Sequence, residues 1–163
     1  MRALAALAGL AAAISYGILL WIGITQLMPA ADGLRPFDLR VFGYDMTDAT
    51  TYLEALGEEG RALIEGPVRT WDTVFPVAFT LFLALVSLRG GGKLGWIGAV
   101  LALGYGAADL IENAAILQLV RGPVPPDQLM VSSASLLTQA KFALVALALL
   151  LGIVARVRRG RRA

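Results

Sequence analysis

The stretch that decides the fold is "LGWIGAVLALGYGAADLIENAAILQLV", residues 94–120. It is long enough to cross a bilayer, for which a helix needs roughly 20 mostly apolar residues. Yet it contains Asp109, Glu112 and Asn113 in its second half. Ionisable groups inside a spanning helix are costly and almost always face the interior of a helix bundle. The stretch therefore predicts a membrane helix with one polar face.

The spacing of the polar residues supports that face. Asp109, Glu112 and Asn113 are separated by three and four positions, and side chains at such offsets share one side of a helix. The same register adds these residues to the polar face: Gly98, Ala102, Tyr105, Gly106 and Ile116. The opposite face carries apolar side chains, namely Leu103, Ala107, Leu110 and Ala114.

Composition places the whole chain in a membrane. Hydrophobic residues make up 58% and charged residues 16%, whereas soluble domains are typically about half apolar and about a quarter charged. Apolar segments that reach or approach spanning length cover residues 3–28, 71–88, 94–120 and 132–155. The first exceeds the roughly 7–15 apolar residues of a signal peptide core, so a retained helix is expected. The fold predicted is an all-α membrane protein with an antiparallel four-helix transmembrane bundle, forming a single membrane domain over 1–163.

Charge asymmetry predicts the orientation. Basic residues without any acid flank one set of span ends: Arg2, Arg89, Lys93, Arg156, Arg158, Arg159, Arg161 and Arg162. The connection 29–70 carries eight acidic residues and four arginines instead. Because Lys and Arg collect on the cytoplasmic side, both termini are expected in the cytoplasm of a bacterial inner membrane protein. The basic tail then contacts anionic lipid, and no nucleic acid is expected as a partner.

The outer connection 29–70 is too long for a plain loop and should hold structure of its own. Apolar residues at helical spacing in its second half predict an amphipathic helix, with these on one face: Ala49, Tyr52, Leu53, Leu56, Gly60, Leu63 and Ile64. Thr47 or Asp48 is expected to cap its start, and Gly66–Pro67 to end it. This helix would form a lid over the bundle mouth or along the outer leaflet. Either the lid is purely structural, or Arg40, Tyr44 or Arg61 reaches the buried acids or a ligand.

Depth in the membrane identifies a partner for the acids. At 1.5 Å per residue, Asp109 lies roughly 16 Å below an outer end near residue 120, and Lys141 lies roughly 14 Å below an outer end near residue 132. Lys141 is therefore the natural partner of Asp109 or Glu112, and Thr138 shares its helical face.

The other spans also contribute polar groups at the same level. Asp72 lies near the outer end of the second span, and Pro76 leaves the Asp72 carbonyl without its helical donor. Gln26 belongs near the outer end of the first span. The candidate binding residues of this polar chamber are Asp72, Asp109, Glu112, Asn113, Lys141, Thr138, Tyr105, Gln26, Arg40, Tyr44 and Arg61.

The energetic cost of the chamber separates a structural from a functional interpretation. Each Asp or Lys near mid-membrane costs roughly 2.5–3.5 kcal/mol on insertion scales, so three such groups cost on the order of 8–10 kcal/mol before pairing. A clamp that fixes helix register is one explanation, although buried pairs seldom add much stability. A clamp needs only one acid, however, and Asp109, Glu112 and Lys141 together carry a surplus negative charge.

Three classes of function are compatible with such a chamber. The first is binding of a small molecule, lipid headgroup, cation or proton from the outer side. The second is a membrane hydrolase, in which two carboxylates activate water and the catalytic candidates are Asp109, Glu112 and Asp72. The third is an accessory subunit, since small residues every four positions from Ala5 to Gly17 suit close packing in a homodimer or a larger membrane complex.

Composition also limits the chemistry. The chain has neither cysteine nor histidine, which excludes thiolate chemistry, imidazole metal sites and histidine acid–base catalysis, so no cofactor and no metal site are expected. The segment "ADLIENA" is faintly similar to one aspartate motif of the signal peptidase that processes bacterial lipoproteins. That family's other motif pairs Asp with Arg, whereas Asp72 is followed by Thr73.

A broader resemblance rests on five segments: "FDLRVFGYD", "LGEEGR", "WDTVFP", "ADLIEN" and "SLLTQAK". Together they resemble a group of small bacterial four-span integral membrane proteins, over about residues 37–141. The resemblance implies the four-span topology and gives no activity.

Overall fold

The computed structural model describes residues 1–160, and over that range it contains helices and no β-strand. The basic residues Arg161 and Arg162 of the predicted cytoplasmic tail lie outside the described residues. The α-helices are α1 (Arg2–Ile22), α2 (Met46–Ala55), α3 (Gly57–Leu63), α4 (Arg69–Gly90), α5 (Gly92–Arg121) and α6 (Gln128–Gly160). Two π-helical turns, Gly23–Leu27 and Ile64–Val68, extend α1 and join α3 to α4, and 3₁₀ turns form at Pro29–Ala31 and Phe37–Leu39.

Within residues 1–160, four helical stretches are long and apolar enough to cross a membrane: Arg2–Leu27, Gly57–Gly90, Gly92–Arg121 and Gln128–Arg158. Large apolar side chains are exposed along all four, for example Leu7, Val77, Leu103 and Leu150. Lipid can cover such surfaces, whereas water could not do so without large cost. The chain thus has the features of an integral membrane protein.

The second stretch is longer than the sequence predicted, because the helix does not end at Gly66–Pro67. Pro67 lies inside the π-helical turn Ile64–Val68, and the helix passes through it into α4. The chain instead breaks at Gly57, whose φ of +58° is a left-handed conformation that suits glycine. The N-cap also differs from the prediction of Thr47 or Asp48. Asp45 caps the start of α2 and exchanges hydrogen bonds with Asp48 at 2.9 and 3.3 Å.

Packing centres on α4 and α5. Helix α5 lies against both α4 and α6, while α1 packs on α4 and has at most marginal contact with α6. The buried face of α1 carries Ala5, Ala8, Ala12 and Ser15. This face is rotated about the helix axis relative to the row of small residues from Ala5 to Gly17 that the sequence predicted to pack. The limited contact between α1 and α6 matters for the site, because a cleft lies between these two helices.

At the end of α5 remote from Asp109, α4 and α5 approach very closely. They are joined through Gly91, which has a φ of +73°. A Cβ added at Gly95 would lie 2.6 Å from the Ser87 carbonyl oxygen, so no larger residue fits there without movement.

The connection 29–70 packs at the other end, where α5 ends and α6 begins. A cluster of buried residues joins it to both helices: Leu27, Ala31, Phe37, Tyr44, Ala49, Tyr52, Leu53, Leu56, Ile64, Leu119, Val120, Val131 and Ala134. Most of the residues predicted to share the apolar face of 47–64 are therefore buried, and Leu63 is half-buried.

Candidate functional site

The polar face of α5 turns inward, as the register predicts. Asp109 is 3% exposed and Glu112 is fully buried, whereas Leu103 on the opposite face is 60% exposed. Tyr105, one turn before Asp109, is also buried. The helix thus directs its ionisable groups into the protein and its apolar groups outwards.

Lys141 of α6 binds both acids. Its Nζ lies 2.8 Å from Asp109 Oδ1 and 2.5 Å from Glu112 Oε2. The hydroxyl of Thr138, one turn earlier on α6, donates to Glu112 Oε1. All four side chains are buried. Because two carboxylates share one ammonium group, this cluster carries a formal charge of −1 when all three groups are ionised.

Asn113 joins α5 to α4 through the carbonyl that a proline leaves free. Pro76 cannot donate to the Asp72 carbonyl four residues earlier. The Nδ2 of Asn113 donates to that oxygen instead, at 2.6 Å. The Asn113 Oδ1 is buried without a hydrogen-bond partner among the described residues.

Tyr44 is the residue of the 29–70 connection that approaches the buried acids. Its backbone N–H donates to Ser135 Oγ at 2.9 Å, and its phenol lies beside Thr138 and Glu112. Burial, reinforced by the Glu112 charge, raises the pKa of Tyr44 above its usual value. The phenol therefore stays neutral and can serve as a hydrogen-bond donor.

The other candidates from the connection and from α1 lie elsewhere. Arg61 donates to the backbone carbonyls of Val120 and Leu53. Arg40 donates to the Arg35 carbonyl at 3.1 Å, pairs with Asp48 at 3.4 Å and lies over aromatic rings of the connection. Gln26 is half-buried in a π-helical turn and lines neither of the two cavities described below. These three side chains are not part of the buried cluster.

A cavity of about 700 Å³ opens beside the cluster. Its walls come from α1, α4, α5 and α6, with part of the 29–70 connection at one end. That volume lies within the roughly 300–1,000 Å³ of typical ligand sites. Since α1 and α6 scarcely touch, the cavity lies between these helices.

Most of the cavity wall is apolar and rich in aromatic rings. Tyr16 of α1 packs on Phe75 at 5.1 Å between ring centroids, and Phe75 stacks on Phe79 at 5.4 Å. Phe79 also meets Tyr105 edge-on at 5.6 Å, and Phe82 extends the row. Sequence reasoning did not single out this row, although Phe75, Phe79 and Phe82 share the helical face of Asp72.

The polar end of the cavity is acidic. Among the ionisable side chains that line it, Asp38, Asp72 and Asp109 are carboxylates and Lys141 is the cation. Within residues 1–160, neither the Asp38 nor the Asp72 carboxylate forms a hydrogen bond or ion pair. Asp109 Oδ2 is likewise buried without a hydrogen-bond partner. Acceptor atoms at this end thus lack donors.

Asp38 is a site residue that the sequence analysis missed. It lies in the 3₁₀ turn Phe37–Leu39, which is held in place by Phe37, whose ring packs 4.6 Å from Tyr44 and 4.7 Å from Tyr52. This turn brings Asp38 to the wall of the large cavity. The only sequence signal was an acid beside a phenylalanine in "RPFDLR", which does not by itself indicate where the turn will lie.

A smaller cavity of about 320 Å³ lies on the other side of Asp38 and Asp72, between α4, α5 and the 29–70 connection. Arg69, Arg121 and Asn113 are among its lining residues. Asp38 and Asp72 line both cavities, so these two carboxylates form part of the partition between them.

No protein family, curated protein or solved structure gives a significant match to this chain. For a hydrolase, two carboxylates should be free to share a proton and hold a water. Here Asp109 and Glu112 both contact Lys141, an arrangement better suited to holding charge than to activating water.

Proposed function

We propose that this protein binds a small amphiphilic molecule, such as a lipid, in the cavity between α1 and α6. The polar group of the ligand would lie at the end formed by Asp38, Asp72 and Asp109. The observation that carries this proposal is a cavity of about 700 Å³ with an aromatic, apolar body and a charged end.

The two parts of the cavity match the two parts of an amphiphile. Apolar surface removed from contact with water contributes about 25 cal/mol per Å² in general, but inside a bilayer the tail is already in an apolar medium, so it gains little from this term. Selectivity must then come from the polar end, where the carboxylates of Asp38 and Asp72 have no donor among residues 1–160.

The proposal includes a membrane topology. We infer an antiparallel four-helix bundle in a bacterial inner membrane, with both termini in the cytoplasm. The connection 29–70 would form a lid on the extracytoplasmic side, with α2 as its amphipathic helix. The charge asymmetry of the loops supports this orientation. Ligand would then reach the site laterally from the outer leaflet.

Binding can be tested with the protein in phosphatidylcholine nanodiscs, using native mass spectrometry to count bound dodecyl-chain probes. Ala13 lines the cavity yet has an exposed side chain, so Ala13→Phe should fill space without disturbing helix packing. Ala11→Phe is the matched control, because Ala11 is exposed on the same helix and does not line the cavity. We expect saturable binding of at least one probe to the parent protein and to Ala11→Phe, and loss of that binding in Ala13→Phe. Equal binding to all three proteins would contradict the proposal.

Topology can be tested separately, since the chain has no native cysteine. Asp127 and Lys93 are exposed at opposite ends of α5: Lys93 lies in its first turn, and Asp127 lies in the connection that follows it. In intact bacterial cells, a membrane-impermeant maleimide should label Asp127→Cys, while Lys93→Cys should be labelled only after lysis. The reverse pattern would invert the proposed orientation.

A further inference from the structure

The charge balance at the polar end of the cavity narrows the class of ligand. We infer that the amphiphile bound there carries a positively charged head with N–H donors, that is, an alkylammonium or guanidinium group, seated between Asp38, Asp72 and Asp109. This inference rests on the proposed function and specifies the head group.

The first observation is the excess of carboxylates. Three line the polar end, and the one lysine that lines it is already shared between Asp109 and Glu112 at 2.8 and 2.5 Å. The nearby arginines do not relieve this excess. Arg40 pairs with Asp48, and Arg61 binds backbone carbonyls. Arg69 lines the smaller cavity on the other side of Asp38 and Asp72, and within residues 1–160 it forms no ion pair with either carboxylate. Carboxylates in a poorly solvated site require a counter-charge or a proton, and a bound cation provides the counter-charge.

The second observation concerns hydrogen bonding. The carboxylates of Asp38 and Asp72, which line the cavity, have no donor among residues 1–160. Asp109 lines the same end and is 3% exposed, and its Oδ2 is buried without a hydrogen-bond partner in that range, so its charge adds to the need for a counter-charge there. Hydrogen bonds between an ionised donor and a carboxylate are about twice as strong as neutral ones. A quaternary ammonium group has charge but no N–H, so it would leave these acceptors unsatisfied. An ammonium or guanidinium head satisfies them.

The third observation is the shape of the cavity beyond the acids. Its remaining wall is formed by apolar and aromatic side chains, with Tyr16, Phe75 and Phe79 in a continuous row. A hydrated inorganic cation would occupy only the acidic end and leave this volume unfilled. An apolar tail attached to the cationic head fills both parts.

The experiment compares probes that share one tail and differ in the head. Dodecylamine, dodecyltrimethylammonium, dodecanol and dodecyl sulfate are titrated at neutral pH into the protein in phosphatidylcholine nanodiscs, with bound probe counted by native mass spectrometry. We expect dodecylamine to bind at least about tenfold more tightly than the other three. Ala13→Phe serves as the background, because it removes cavity binding while leaving probe partitioning into the bilayer unchanged.

Charge variants connect the preference to the site. Asp72→Asn removes the charge but keeps the size of the side chain and the backbone carbonyl that Asn113 binds. Asp38→Asn makes the same change in the 29–70 connection. Each should reduce dodecylamine binding by about tenfold and leave dodecanol binding unchanged. Glu54→Gln, at an exposed position on α2 outside both cavities, is the matched control and should change neither.

The outcomes separate this inference from the proposed function. If dodecanol, dodecyl sulfate or dodecyltrimethylammonium binds as tightly as dodecylamine, the N–H cation is overturned while binding in the cavity stands. If dodecylamine is preferred but neither aspartate variant weakens it, the assigned seat is wrong. If no probe binds in a manner that Ala13→Phe abolishes, the proposed function itself fails.

Discussion

Removing the ammonium group of Lys141 should destabilise the fold severely, and the structure indicates by how much. The Lys141 side chain is 8% exposed, and those of Asp109 and Glu112 are 4% and 0% exposed. Solvent and salt therefore screen these contacts little, unlike surface pairs worth roughly 0–1 kcal/mol. Lys141→Met keeps an unbranched apolar side chain as far as Cε but removes the ammonium group, which leaves two buried carboxylates uncompensated. Breaking a buried pair in this way costs about 3–5 kcal/mol, or roughly 10²–10⁴-fold in the folded-to-unfolded ratio.

The free energy of unfolding can be measured by titrating dodecyl sulfate into the protein in mixed micelles and following tryptophan fluorescence. Lys93→Met is the control, because Lys93 is exposed in the first turn of α5, and it should cost less than about 1 kcal/mol. Combining Lys141→Met with Asp109→Asn and Glu112→Gln removes every charge of the cluster. This triple variant should recover most of the loss, since replacing a complete buried charge set is often close to neutral.

Two results would refute this reasoning. A loss for Lys141→Met no larger than for Lys93→Met would mean that the acids do not depend on the lysine. A triple variant as unstable as Lys141→Met alone would mean that uncompensated charge is not the cause of the loss.

Three further predictions concern α4, the α2–α3 junction and the buried phenols. Asn113→Ala should cost about 1–3 kcal/mol of unfolding free energy, because it leaves the buried Asp72 carbonyl without a donor. Adding Pro76→Ala should reduce that cost, because the backbone N–H of Ala can donate to the same carbonyl. Gly57→Ala should cost about 1–2 kcal/mol by placing a Cβ in the left-handed conformation at φ +58°. Burial raises the pKa of Tyr44 and Tyr52 above 10, so the unfolded state loses their protons first and stability should fall as pH rises above about 10.

Each of the three has a control. A double-mutant cycle over the asparagine and proline substitutions should give a non-zero coupling energy, and simple additivity would contradict the hydrogen bond. Gly66 is a helical position where an added Cβ would meet open space, so Gly66→Ala should be neutral or stabilising. A loss of stability equal to that of Gly57→Ala would contradict the role of the positive φ. Tyr44→Phe and Tyr52→Phe together should flatten the stability profile above pH 10, as measured by the same titration, and an unchanged profile would contradict the burial argument.

Helical register and rise were sufficient to predict much of the site. They identified the buried face of α5 and the Asp72 carbonyl that Pro76 leaves without a donor. They also identified Lys141 as the partner of Asp109 or Glu112, and the structure shows that it contacts both. These inferences succeeded because a spanning helix has fixed geometry and the bilayer makes polar residues stand out. Each needs only the spacing of residues along a helix and the depth of that helix in the membrane.

What the sequence could not predict depends on how the 29–70 connection folds. The position of Asp38 follows from a 3₁₀ turn held by an aromatic cluster, which has no periodic signal. The position of Arg61 follows from the break at Gly57, which separates α3 from α2. The boundary between α3 and α4 was misplaced because Pro67 usually ends a helix, whereas here a π-helical turn accommodates it. The cleft beside α1 could not be predicted either, because the small residues of that helix are compatible with packing on more than one side.

The bond between Asn113 and the Asp72 carbonyl also has a consequence for rotation. A helix turns by about 100° for each residue. A shift of α4 by a single position would therefore rotate the Asp72 carbonyl, which Pro76 leaves without a helical donor, away from α5 and towards hydrocarbon. An unsatisfied backbone group in that medium costs several kcal/mol. Pro76 thereby fixes the rotational orientation of α4 about its own axis. Since Phe75 and Phe79 flank the proline, the same constraint aims the aromatic row at the space between α1 and α6.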